Sequence, residues 1–379
     1  MDSKNKEENV IGNHIGKVKQ HANEGTKIYK KDGILFLEII KPSNFHVHWR
    51  EIDQLLFTVP WTAKQFHYAM GMLNLRNPLT RPFDANDYGT LAMKEGRKIN
   101  PSFMSYVALY LTDSTTIRDI DIAASLDHVL AAKLYPFGAT TNSDRGVTNL
   151  KKMWSIFARM EEKGLPLCLH GEVTDPRVAL WDRERVFVDT VLVEIHKAFP
   201  RLRIVLEHVS TREGAQFVQS TPSNIAGTVA PQYMLYNCND VYMWPSRNCY
   251  PVINSPRDQE VVTELATSGS RKVFLGTDGA SHRDTDKFCD GGNGGCTTEP
   301  DAIPLYATAF KRVGKLNMLG RFASIFGPQF YGLEVPTERL LLVCRPKKVA
   351  HSVQIGQSMW ATPFMAGEIL EWQIDSIIQ

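Results

Sequence analysis

Eight short apolar runs punctuate this chain, at 44–50, 67–73, 105–111, 129–136, 166–171, 203–209, 227–233 and 272–278. Each is long enough for a strand and short for a helix, and runs with little polar alternation read as strands buried on both faces, as in parallel sheets. Between them lie amphipathic segments such as 147–163, 185–199, 213–220 and 257–268, the last entered through Ser255-Pro256 and left through Gly269. Eight strands alternating with helices predict a (β/α)8 TIM barrel, an α/β fold in which function sits at the C-terminal ends of the strands.

Those ends carry an unusual set of residues. The first run reads Asn44-Phe45-His46-Val47-His48-Trp49-Arg50 and follows a further apolar stretch at 34–40. On a strand, residues two apart point the same way, so both imidazoles and the Arg50 guanidinium share a face. Two converging neutral imidazoles suit a divalent metal such as zinc, although paired histidines also occur as packing or surface residues. His170, His208 and Asp278 each close another apolar run. A buried imidazole or carboxylate there needs a partner; one occurrence reads as a hydrogen-bonded core residue, whereas the repetition favours a metal site. The fourth run holds Lys133. An ammonium among metal ligands would repel the ion, so this lysine is neutral, turned aside, or chemically changed; carbamylation by CO2 would make it an anion able to bridge two cations.

Composition narrows the class. The 379 residues are 43% hydrophobic, and 43 basic against 41 acidic residues leave a net charge of +2. Nothing there suggests a nucleic acid or membrane partner, and no apolar stretch approaches the ~20 residues that span a bilayer. Residues 1–31 are polar, and Glu7, Glu8 and Glu24 argue against a signal or transit peptide. They read as a disordered or loosely docked extension ahead of a domain over 32–379, in a cytoplasmic protein. The cysteines at 168, 238, 249, 289, 296 and 344 then read as reduced thiols, with Cys289 and Cys296 flanking a flexible glycine loop.

Taken together, these motifs resemble the amidohydrolase superfamily, and within it the dihydroorotase family in its short, single-function form. The carrying stretches are His46-x-His48-x-Arg50, Ala132-Lys133-Leu134-Tyr135-Pro136 through Ser143, Leu169-His170-Gly171-Glu172-Val173-Thr174, Glu207-His208, Pro231-Gln232, Gly276-Thr277-Asp278 and Gly327-Pro328-Gln329-Phe330-Tyr331-Gly332-Leu333. The resemblance runs from about Gly33 to the C-terminus.

The resemblance implies two Zn2+ per chain. His46, His48 and Asp278 would hold one and His170 and His208 the other, with carbamylated Lys133 and a hydroxide bridging them. It implies reversible cyclisation of N-carbamoyl-L-aspartate to L-dihydroorotate in pyrimidine biosynthesis, with Asp278 carrying the proton, and a homodimer. Arg50, Asn74 and His282 would grip the substrate carboxylate. Thr140 and Thr141 match a loop that closes over substrate, and backbone groups near Met234 and Gly294 would meet the pyrimidine edge. Some positions depart from the family pattern: Leu73 and Ser281 replace prolines, a glycine loop at 291–296 replaces a cysteine-rich one, and Asn44 stands where an acidic residue is frequent two before the first histidine. A dihydropyrimidinase or hydantoinase has no need of the carboxylate grip, and an inactive scaffold homologue would have shed ligands that this chain keeps.

Overall fold

The computed structural model describes residues 25–378. All eight apolar runs form strands: β3 (Ser43–His48), β4 (Tyr68–Met72), β5 (Met104–Tyr110), β6 (Val129–Leu134), β7 (Leu167–Leu169), β8 (Ile204–Leu206), β9 (Ile225–Val229) and β10 (Val273–Leu275). Most are shorter than the runs that announce them, and His170, His208 and Asp278 lie just beyond the ends of β7, β8 and β10. Together with β11 (Gly279–Ala280) they make a curled nine-stranded parallel sheet in the order β10-β9-β8-β7-β6-β5-β4-β3-β11. The two outermost strands of this order are separated in sequence by Gly276, Thr277 and Asp278. β10 pairs with β9, while β11 pairs with β3.

The helices flank the sheet as the periodicity predicts, with two irregularities. The segment expected over 147–163 opens as a 3-10 turn, Leu150–Met153, and is α-helical only over Trp154–Lys163. The segment expected over 185–199 begins at Arg183 and is interrupted by a π-helical turn, Val188–Leu192. The helix Pro256–Thr267 starts as its sequence says, with the Ser255 hydroxyl accepting from the Asp258 N–H and Pro256 in the first turn, where a missing N–H costs nothing.

A second sheet is not foreshadowed by the eight runs. It is antiparallel, in the order β1-β2-β12-β15, from β1 (Thr26–Lys31), β2 (Ile34–Ile40), β12 (Arg339–Lys348) and β15 (Ile369–Ile378). Residues 26–31, expected in the loose N-terminal extension, are therefore a strand paired along its length with β2. The cause is local: Asp32 (φ 51°) and Gly33 (φ 78°) both take the left-handed conformation that a two-residue hairpin turn requires. The remainder of that extension, 1–24, lies outside the described residues.

Inside the parallel sheet, Phe45, Met70, Met72, Ala131 and Phe274 form an apolar cluster, joined by Phe326 and Tyr331. Val47 and Trp49 belong instead to the larger core between sheet and helices. A one-residue bulge between Asn44 and Val47 in the β3–β4 ladder lets Phe45 face inward although the histidines after it follow the normal alternation. With Val47 and Trp49 committed to the outer core, His46 and His48 face inward.

Candidate metal centre and substrate cleft

Hydrogen bonding fixes the tautomers of the first two histidines. His46 Nδ1 donates to Glu207 Oε2 at 2.7 Å, and His48 Nδ1 donates to Asn74 Oδ1 at 2.6 Å. The Asn74 amide is itself oriented, since its Nδ2 donates to the Thr141 carbonyl at 3.1 Å. Each neutral ring then presents a bare lone pair at Nε2. These two atoms lie 3.2 Å apart, and Asp278 Oδ1 is 3.4 Å from the first and 3.2 Å from the second. Three acceptors facing one another with no proton between them call for a cation. Among the described residues, His46, His48 and Asp278 are the group of three whose donor atoms can hold a metal ion, all within 4.8 Å of one another.

Electrostatics agrees. Burial, followed by the Arg50 charge, drives the His48 ring well below its ordinary pKa, and burial raises the Asp278 carboxyl against the pull of His46 and Lys133. At Glu207 burial opposes ionisation, but His46 and Lys133 outweigh it and leave this carboxyl below its usual value. Thr228 Oγ1 donates to the same Glu207 oxygen at 2.6 Å, so His46 leans on a fixed anion.

The other expected ligands stand alongside. The His208 ring centroid lies 5.1 Å from that of His46 and 4.8 Å from that of His170. His170 Nε2 is bonded to Glu172 at 2.7 Å, and burial pushes Glu172 up to about 8. Burial, then the Lys133 charge, holds both rings well below the ordinary imidazole range. His208 Nδ1 and Lys133 Nζ are fully buried without a hydrogen-bond partner among the described residues. Burial lowers the Lys133 ammonium from its usual range. Lys133 Nζ and His208 Nδ1 thus stand near the three-residue cluster with no partner of their own among the described residues.

Arg50, His208 and Asp278 have φ of 65°, 43° and 46°. Non-glycine residues in this region carry backbone strain that persists where the surroundings hold it, frequently at functional sites. Arg50 is held by the Tyr88 hydroxyl, which donates to its carbonyl at 2.6 Å. Its Nη2 lies 2.8 Å from His282 Nε2, a ring kept neutral by burial and by Arg50 itself, so the guanidinium donates there. Arg50 Nε and Nη1 have no partner among the described residues, which leaves guanidinium N–H donors free for a carboxylate. Gly294 closes this side, its carbonyl accepting from Thr141 Oγ1 at 3.3 Å. Thr140 is tied to Ser143 within the same loop. Arg50, Asn142 and His282 line a cleft of about 430 Å3. Met234 stands apart: its carbonyl accepts from Gln259 at 3.0 Å.

Sequence reasoning gave no role to Glu207, Glu172, Thr228 or Gln232. Glu207 had a signal, a carboxylate ending a wholly apolar buried run directly before a ligand histidine. Gln232 Nε2 reaches Asp278 Oδ2 at 3.4 Å.

No family model matches the chain. It is 40% identical over 344 residues to the dihydroorotase of Aromatoleum aromaticum, covering 89% of this chain and 99% of that protein, and 40% identical over 344 residues to that of Idiomarina loihiensis, covering 98% of it. Among solved structures, dihydroorotase from Saccharomyces cerevisiae in complex with 5-fluoroorotic acid superposes with a TM-score of 0.81 at 27% identity, over 89% of this chain and 98% of that one. Campylobacter jejuni dihydroorotase gives 0.81 at 28% identity, over 92% and 99%. The L-hydantoinase of Arthrobacter aurescens, at 15% identity and a TM-score of 0.73 over 90% of this chain and 84% of its own, shares the fold. With matches of that extent laid over a cluster of bare metal-type donors beside an open guanidinium, this chain belongs to the dihydroorotase family.

Proposed function

We infer that this chain performs the reaction of its family, the reversible cyclisation of N-carbamoyl-L-aspartate to L-dihydroorotate in pyrimidine biosynthesis. The observation that carries this reading is the presence of a metal-type donor cluster on the same strand end as Arg50, whose Nε and Nη1 no described residue engages. His46, His48 and Asp278 would hold one zinc, His170 and His208 a second, and Lys133, carbamylated, would join the two in a closed (β/α)8 barrel. When bound, such ions lower the pKa of water and polarise an amide carbonyl.

The residues of the chain do the rest. Arg50 grips the substrate carboxylate through guanidinium N–H groups that the protein leaves free, with His282 and Asn74 beside it. In the hydrolytic direction water attacks the ring amide carbonyl, and Asp278 takes its proton and passes it to the leaving nitrogen. Cyclisation retraces these steps. Glu207 keeps His46 in the tautomer that leaves Nε2 bare. Thr140 and Thr141 close over the substrate, with the Gly294 backbone, and that near Met234, meeting the pyrimidine edge. The active form is a cytoplasmic homodimer, which light scattering tests directly. No helix among the described residues is long and apolar enough to cross a membrane.

The deciding experiment measures zinc content together with hydrolysis of dihydroorotate and of dihydrouracil, which lacks the carboxylate. Zinc-dependent turnover of dihydroorotate far above that of dihydrouracil is expected. Comparable rates on the two would favour a dihydropyrimidinase instead.

A further inference from the structure

Between β10 and β11 the chain breaks its ladder at Gly276-Thr277-Asp278, and a buried polar network pins this break to β3. Asn44 Oδ1 accepts from the Thr277 N–H at 3.0 Å and from the His46 N–H at 3.2 Å, while Asn44 Nδ2 donates to Thr277 Oγ1 at 2.8 Å. The Asp278 N–H donates to the His46 carbonyl at 3.0 Å. One side chain thus sets the register between a ligand on the first strand and a ligand on the last.

The Thr277 hydroxyl has two lone pairs and one proton. Asn44 Nδ2 and the Gly279 N–H, at 3.2 Å, take the lone pairs. Its proton must go to an acceptor, and Glu299 Oε1 at 2.6 Å is nearer than the His46 carbonyl at 3.1 Å. Glu299 is 2% exposed. Two further features fix it in place. Its carbonyl accepts from Gln65 Nε2 at 2.5 Å, and that Gln65 side chain also receives the Ile303 N–H at 3.0 Å. A Cβ on Gly279 would run into the Glu299 carboxylate, so the glycine is the space in which the carboxylate sits.

We propose that Glu299 is a positioning residue for Asp278 and His46, supplying from a distant loop the acceptor that an acidic residue at position 44 would supply from β3. Asn44 cannot fill that role, because its oxygen is taken by two backbone donors and its nitrogen can only donate. One carboxylate is needed in this network and two are too many, since a pair sharing the single Thr277 proton would repel each other in a buried site.

The test is a cycle of Glu299→Ala, Asn44→Asp and the double variant, with Glu299→Gln as the conservative control, because its amide oxygen still accepts from Thr277. Turnover, KM, zinc content and thermal midpoint are measured on each full-length protein. Glu299→Ala should lower kcat about 10- to 100-fold through misplacement of Asp278, with a much smaller change in KM, and should lose zinc on dialysis faster than the parent. Asn44→Asp alone should lower the thermal midpoint. The double variant should recover kcat, zinc retention and midpoint towards the parent, and Glu299→Gln should stay near it. If Glu299→Ala does not fold, the double variant decides alone: folded with bound zinc supports the proposal, unfolded or zinc-free overturns it. Additive losses in the double variant, or a Glu299→Ala protein indistinguishable from the parent, would equally overturn it. The inference rests on the dihydroorotase reading only for its kinetic readout. A parent protein inactive on dihydroorotate would sink that reading, while zinc retention and midpoint would still decide the role of Glu299.

Discussion

The two sides of the metal-type cluster are built differently. On the side of β3 and β11 every donor is held by the protein: His46 by Glu207, His48 by Asn74, and Asp278 by Gln232 and by its backbone bond to β3. On the side of β6 to β8, His170 is held by Glu172, but Lys133 Nζ and His208 Nδ1 have no partner among the described residues. The first side is preorganised, and ligand geometry held by hydrogen bonds needs little reordering when an ion arrives. The second contains a buried amine whose charged form is disfavoured by burial, and among the described residues no hydrogen bond fixes where that amine points.

Lys133→Ala tests this difference most severely. It should abolish turnover and remove roughly half of the bound metal, because in the proposed centre the second ion would lose its anionic bridge while His46, His48 and Asp278 would still hold the first. Short carboxylic acids should restore part of the activity by occupying the vacated position. Full metal content with normal turnover in this variant would erase the distinction between the sides, as would an unmodified ammonium at Lys133 beside two bound ions.

Asp278→Asn probes the preorganised side. The amide keeps an oxygen for the metal but cannot accept a proton, so turnover should fall at least ~10²-fold, the usual scale of general-base catalysis, while zinc content and substrate affinity fall much less. Burial raises the Asp278 carboxyl. The hydrolytic rate of the parent should therefore rise with pH as this group ionises, and that limb should be missing in the variant. Near-normal turnover with metal bound would assign the proton to another group, His282 first.

How much of this was legible in the sequence follows the same division. Strands, and the buried polar residues at or near their ends, announced themselves because a polar residue closing a short apolar run is expensive to bury without purpose. The antiparallel sheet did not, because it joins residues 26–40 to 339–378 and no local pattern reports so distant a pairing. β12 even carries Pro346, tolerated because the β12–β15 register slips between Cys344 and Lys347. The hairpin signal Asp32-Gly33 was present in the sequence and lay in a segment read as unstructured. Glu299 was hidden for another reason: a residue that positions others is recognised by what it touches, and spacing along the chain does not reveal it, just as the signal at Glu207 did not say that His46 was its partner.

Arg50→Lys measures the cleft beside the preorganised side. An ammonium cannot reproduce a two-pronged grip, and losing one charged hydrogen bond costs about 1.5–3 kcal/mol, so kcat/KM on dihydroorotate should drop roughly 10- to 100-fold. Activity on dihydrouracil, which offers no carboxylate, should change far less. Equal losses on both substrates would place Arg50 in the metal site itself.

The smallest effect concerns how Arg50 is aimed. Its backbone sits at φ 65°, a conformation that costs free energy unless something holds it, and the Tyr88 hydroxyl donating to its carbonyl at 2.6 Å is what the structure provides. Tyr88 is buried and packs beside Trp49, with ring centroids 6.4 Å apart, so Tyr88→Phe removes one oxygen and leaves the ring packing in place. A neutral hydrogen bond contributes about 1 kcal/mol net, which corresponds to a KM for dihydroorotate raised about fivefold. Turnover and zinc content should be nearly unchanged, because Tyr88 reaches the ligands only through the segment that carries Arg50. A loss of zinc equal to the loss of affinity would instead show that relaxation at Arg50 travels back along β3 to His48, and that the preorganised side depends on the cleft as much as the cleft depends on it.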